Sequence, residues 1–184
     1  MSSPDRKTAR LRWARVSLPG ARYFLTVCTQ DRASFLTQPK ASADVRYALN
    51  TLQSHGDIEV LAASLMPDHL HVLFTLGVRL SVGQVMAKLK TLSRDQGRAA
   101  WRWQQDGFEH RLRPGEKIED YGFYIFMNPY CARVLPLTET WPGWICPEPT
   151  HFAFTAHLTP SGAPPTEWLE QSDQIAARIT TGSA

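Results

Sequence analysis

The chain has 184 residues, 43% of them hydrophobic and six of them tryptophan, with a formal net charge of +3, as expected of one globular domain with its own core. No run approaches the about 18 consecutive apolar residues of a membrane-spanning helix, and the basic opening MSSPDRKTARLRWARVSLPG lacks the apolar segment of a secretory signal. Cys28, Cys131 and Cys146 are odd in number and far apart, which argues against a disulfide framework or a zinc knuckle and for the reduced thiols of a cytoplasmic protein.

Residues 1–20 read as a basic arm. Arg6, Lys7, Arg10, Arg12 and Arg15 crowd its first fifteen residues around Trp13, a composition that suits a phosphate backbone with a ring for stacking, or an ordinary solvated tail. YFLTVCT (23–29) is a strand, aromatic and β-branched, after Pro19-Gly20. Val45, Ala48, Leu49 and Leu52 recur at helical spacing over 41–55, with Gly56 as the stop. IEVLAASL (58–65) and HLHVLFTL (69–76) are strands joined by the turn residues Met66-Pro67-Asp68, and should form a hairpin. Ser81 caps a helix with apolar Val82, Val85, Leu89 and Leu92. On its opposite side Lys90, Arg94 and Arg98 follow one another at i, i+4, i+8, so a basic face recurs and points to a polyanion.

Asp106-Gly107 marks a turn, FEHRL (108–112) a short strand, and a helix is expected from about Glu116 to Met127, before Pro129. The order β-α-β-β-α-β predicts an α+β, ferredoxin-like sandwich: a largely antiparallel sheet with helices on one face, plus the 116–127 helix. This domain is expected over residues 21–146. Residues 147–184 read as a proline-rich C-terminal tail with a short helix marked by Trp168, Ile175 and Ile179, docked on the domain or on a ligand.

Two stretches carry chemistry. In SLMPDHLHVLFTL (64–76), strand alternation points His69 and His71 the same way, giving half of a divalent-metal site or two structural histidines. In DYGFYIFMNPY (120–130), Tyr121, Tyr124 and Asn128 fall on one side of a helix and Tyr130 opposite. An amide oxygen at Asn128 is a hard ligand suited to Mg²⁺ or Mn²⁺, and a phenol one turn before it could attack a phosphate held there. The same spacing suits an aromatic core helix ending at Asn128 as its cap.

Together these residues resemble the single-tyrosine HUH transposases, the IS200-like superfamily. MPDHLHVLF looks like their His-hydrophobic-His motif, and YIFMNP like the Tyr-Ile-x-x-Asn-Pro signature of the REP-associated branch. LPGARYFLTVCTQDRASF, WQQDGFEHRLRPGEKIEDYGFYIFMNPYCARVL and WPGW follow in the same order, so that the likeness spans roughly residues 10–145. It departs after the signature, where members often continue Asn-Pro-Val-x-Ala-Gly and this chain has Asn-Pro-Tyr-Cys-Ala-Arg. The resemblance implies the ferredoxin-like fold, with His69, His71 and Asn128 as ligands of Mg²⁺ or Mn²⁺ and Tyr124 as nucleophile. It also implies Arg113 as a phosphate contact, while the basic arm and the basic helix face offer Arg12, Arg15, Lys90 and Arg94 as further DNA-binding positions. The implied partner is single-stranded DNA with a hairpin, a REP-like element, bound by a cytoplasmic, nucleoid-associated monomer or homodimer. The implied reaction is strand cleavage and transfer through a 5′-phosphotyrosine. Two rivals stay open: a non-catalytic nucleic-acid-binding module on the same fold, and a metal-dependent hydrolase that activates water.

Overall fold

The computed structural model describes residues 16–94, 101–179 and 181. Residues 1–15 of the basic arm, Arg12 and Arg15 among them, and Arg98 lie outside the described residues. Five strands form one sheet: β1 (Arg22–Cys28), β2 (Ile58–Leu65), β3 (His69–Leu76), β4 (Phe108–Arg111) and β5 (Trp144–Ile145). Their order is β4-β1-β3-β2-β5 and every pairing is antiparallel. The helices are α1 (Pro39–Ser54), α2 (Val82–Ser93), α3 (Ile118–Cys131) and α4 (Trp168–Ala176). This is the expected α+β sandwich. β5 escapes a sequence reading because two residues carry no periodicity.

Strand alternation sorts the core into two layers. Tyr23, Leu25 and Val27 of β1 and Leu70, Val72, Phe74 and Leu76 of β3 pack with Val45, Leu49 and Leu52 of α1 and Val82, Val85 and Leu89 of α2. Their alternates Phe24 and Leu73 face the other way, with Leu61 and Ala62 of β2. Two consecutive β2 residues share that face because the β2–β3 register shifts between Val60 and Ala62, where a bulge resets the alternation.

Helices therefore cover both faces of the sheet: α1 and α2 share one, as expected, and α3, to which the sequence pattern assigned no face, covers the other. The reason lies in α3, of which Tyr121, Gly122, Phe123, Ile125, Phe126, Met127, Pro129 and Tyr130 are all buried. A helix apolar nearly all round needs cover on two sides. The sheet provides one, and Phe152, Phe154, Trp168 and Ile175 of the C-terminal segment provide the other. The Glu119 carboxylate reinforces that contact by accepting hydrogen bonds from the backbone of Ala153 and Phe154 at 3.0 and 2.9 Å.

Two expected helix ends move. α3 continues through Pro129 to Cys131, so Asn128 is an interior residue rather than a cap; Ala132 N–H reaches the Asn128 carbonyl and Val134 N–H the Pro129 carbonyl. Arg133 then takes the left-handed conformation (φ 54°) at the position where the resembled signature has glycine, so the departure changes the cost of the helix end but not its place. α2 stops at Ser93, whose hydroxyl donates to the Leu89 carbonyl and accepts from Trp103 Nε1. Arg94 is already extended. The expected i, i+4, i+8 basic stripe is accordingly broken after Lys90.

Gly122 tests the packing behind α3. A Cβ there would lie 2.2 Å from the Phe152 ring, which is buried and has nowhere to turn. The helix propensity gained by Gly122→Ala, about 1 kcal/mol, is expected to lose to overpacking of about 1–3 kcal/mol. Phe152→Ala should cost about 3–5 kcal/mol. Urea denaturation followed by fluorescence reads both, and a Gly122→Ala variant more stable than the parent contradicts the packing.

Candidate active site

The β1–β3 register sets Thr26 opposite His71 and Cys28 opposite His69. Directly paired residues share a face, and this face is the one turned to α3. Thr26 Oγ1 lies 2.9 Å from His71 Nδ1, and Asp68 Oδ1 lies 2.7 Å from His69 Nδ1. With their Nδ1 atoms engaged, the two imidazoles turn their Nε2 atoms toward each other, 3.1 Å apart.

That arrangement suits a cation. The Asp68 carboxylate can only accept, so His69 Nδ1 carries a proton, and in neutral His69 the Nε2 is a bare lone pair. The Thr26 hydroxyl can donate or accept. When it accepts from His71 Nδ1, the second Nε2 is bare as well, and two lone pairs meet at one point. Burial pushes His71 well below the ordinary imidazole range, and neighbouring His69 adds to the effect. Burial lowers His69 too, against the opposing Asp68 carboxylate. Both rings are thereby held in the neutral form that ligation requires. Among the described residues no group of three or more His, Cys, Asp and Glu side chains could hold a metal, so a third protein donor must be of another type. The Asn128 carboxamide, which lines the same cleft as His69 and His71, is such a donor.

α3 supplies Asn128 and one further group. From 121 to 130 only Tyr124 and Asn128 are not buried, and both line a cleft of about 500 Å³ with Thr26, Arg32, His69 and His71. The Tyr124 ring stands edge-on to His71, centroids 5.5 Å apart. Tyr121, on a similar side of the helix by spacing, is elsewhere: its hydroxyl donates to Glu116 Oε1 at 3.1 Å and its ring stacks on His110 at 5.9 Å. Tyr130 points away, donating to the Glu139 carbonyl.

The basic positions fare differently. Lys90 is half-buried, its ammonium donating to the carbonyls of Gln104, Gln105 and Asp106 at 2.7, 3.0 and 3.1 Å. It ties down the loop at the cleft edge, where a solvent-facing phosphate contact was expected. Arg94 and Arg113 are exposed and do not line the cleft. Sequence reasoning missed Thr26, Asp68 and Arg32. Asp68, adjoining the histidine pair, was legible but read only as turn chemistry; Thr26 needs the strand register.

Comparison with known proteins bears on this geometry. Residues 17–109, half of the chain, match the family model described as "Transposase IS200 like"; the stretch holds Thr26, Asp68 and both histidines and ends before α3. A Haemophilus influenzae protein named for the REP-associated tyrosine transposases is 27% identical over 139 residues, covering 67% of this chain and 78% of its own. The solved structure of a REP-associated tyrosine transposase bound to a REP hairpin matches with a TM-score of 0.63 at 20% identity, over 91% of each chain.

Proposed function

Since the chain belongs to the IS200-like transposase family, whose members are DNA-cleaving enzymes, we propose that it cuts and rejoins single-stranded DNA beside a hairpin, with Tyr124 as nucleophile and His69, His71 and Asn128 as ligands of Mg²⁺ or Mn²⁺. The observation that carries this reading is that the two residues of α3 left unburied between 121 and 130 both line the cleft of the histidine pair. The hairpin is supported by the structure of like fold, which was solved on one.

Tyr124 Oη attacks the scissile phosphorus. A P–O(Tyr) bond forms as the P–O3′ bond breaks; the phenol proton passes to solvent, and the departing 3′ oxygen takes one up. The phosphate stays on the 5′ side as a phosphotyrosyl ester. Because the ester is retained, an incoming 3′-OH can reverse the step and join strands without ATP. A divalent cation, when bound, stabilises charge developing on the phosphate. Asp68 and Thr26 orient the imidazoles that would hold it, as carboxylate and hydroxyl partners of ligating histidines do. The test is a conjugate between protein and hairpin-bearing DNA that survives denaturation. Cleavage without a conjugate favours the hydrolase, and binding without cleavage the non-catalytic module.

Arg94 and Arg113 are proposed as backbone contacts outside the cleft. Replacing both with Ala should weaken hairpin binding and reduce the slope of log K against log salt by about 1 to 2, as expected for one phosphate contact per arginine. An unchanged slope moves the contact surface elsewhere.

A further inference from the structure

One wall of the cleft takes no part in holding a cation or the phenol. Among the described residues that line it, Arg32 is the only lysine or arginine. We propose, resting on the DNA-cleavage reading above, that the Arg32 guanidinium binds a non-bridging oxygen of the scissile phosphate beside Tyr124.

Three observations place it there. Asp31 and Arg32 both have φ of 55°, a left-handed conformation that non-glycine residues adopt only where the surroundings enforce it, and that recurs at ligand clamps. What enforces it is a staple to the turn just before the histidines. Thr29 N–H donates to the Asp68 carbonyl at 2.8 Å, Leu36 N–H donates to the Pro67 carbonyl at 2.9 Å, and the buried Thr29 hydroxyl lies within 2.9 Å of the Ala33 and Asp68 carbonyls.

The third observation is how the guanidinium is anchored. Nη1 sits 3.2 Å from Asp68 Oδ2 while 46% of the side chain remains exposed. Asp68 thus holds Arg32 with one carboxylate oxygen and His69 with the other. A single carboxylate fixes the arginine and the imidazole relative to each other. The guanidinium is a planar fork with five donors, so one edge can stay on Asp68 while another takes a phosphate oxygen. The charge growing on that oxygen as phosphorus is attacked is what a preplaced cationic donor stabilises.

The competing role is structural, with Arg32 serving only to neutralise Asp68 and so to support His69. Arg32→Gln and Arg32→Lys separate the two when Mn²⁺ affinity, measured by calorimetry, is read beside single-turnover conjugate formation at saturating DNA. The proposal expects Mn²⁺ affinity no weaker than the parent's in both variants, since Arg32 is a like charge beside the cation. It expects a rate loss of about 100-fold or more for Arg32→Gln, and a smaller loss for Arg32→Lys, which keeps the charge without the fork. It further expects parent and Arg32→Gln to react equally slowly on DNA carrying, at the scissile position, the methylphosphonate diastereomer whose methyl replaces the contacted oxygen, because the contact is then already gone. A rate loss that tracks a fall in Mn²⁺ affinity overturns it in favour of action through Asp68. Arg32→Gln as fast as the parent overturns it alone, with the cleavage reading intact. A parent protein that forms no conjugate overturns the cleavage reading and this proposal with it.

Discussion

Tyr124→Phe is expected to eliminate the denaturation-resistant protein–DNA conjugate, a loss of about 10⁴-fold or more in rate, while Tyr121→Phe and Tyr130→Phe still form it. The substitution removes one oxygen from a side chain that lines an open cleft, so at most about 1 kcal/mol of stability is at stake. Tyr121→Phe is the informative control. It deletes the hydroxyl that donates to Glu116, but His110 and the Arg113 backbone still bind that carboxylate. Its effect should therefore be a modest loss of stability with the conjugate retained. The assay incubates each protein with hairpin-bearing single-stranded DNA and Mn²⁺, then resolves the products under denaturing conditions. A conjugate that persists in Tyr124→Phe and disappears in Tyr121→Phe would reassign the nucleophile.

The second large effect is on metal binding. Calorimetric titration with Mn²⁺ should give one site in the parent and none in the His69→Ala, His71→Ala double variant, with conjugate formation lost in parallel. The pH dependence has a definite sign. Protons compete with the cation for Nε2, and burial lowers the proton affinity of both rings, most strongly that of His71. Mn²⁺ affinity should consequently hold as pH falls through about 6.5, where an unperturbed imidazole protonates, and decline only below it. Affinity already falling above that pH, or surviving in the double variant, would remove the histidines from the site.

What could be read from the sequence was whatever repeats locally. The β2–β3 hairpin, the Ser81 cap and the β-α-β-β-α-β order depend on spacing within one element, and the observed elements follow them. So does the common direction of His69 and His71. What could not be read depends on partners distant in sequence. The sequence suggests a Lys90–Arg94 stripe because it cannot show Trp103 engaging the Ser93 hydroxyl at the end of α2, or three loop carbonyls claiming the Lys90 ammonium. Tyr121 and Tyr124 are equivalent by helical angle, and only the His110–Glu116 pair on one side and the histidine pair on the other tell them apart. Arg32 gave no local signal, since its place follows from a turn bonded to residues 67 and 68.

The covering of α3 by the C-terminal segment has a consequence in time. Synthesis runs from the N-terminus, and structure forms as the chain emerges. β1, β2 and β3, with the histidine pair and its Asp68 and Thr26 partners, are complete when residue 76 has left the ribosome. The tyrosine comes later, and the outer side of its helix stays bare until Phe152, Phe154, Trp168 and Ile175 arrive. Until then the histidine pair stands without the packed helix that brings both Tyr124 and Asn128 to it. A member of a DNA-cleaving family thus completes this cleft only after its sheet is made.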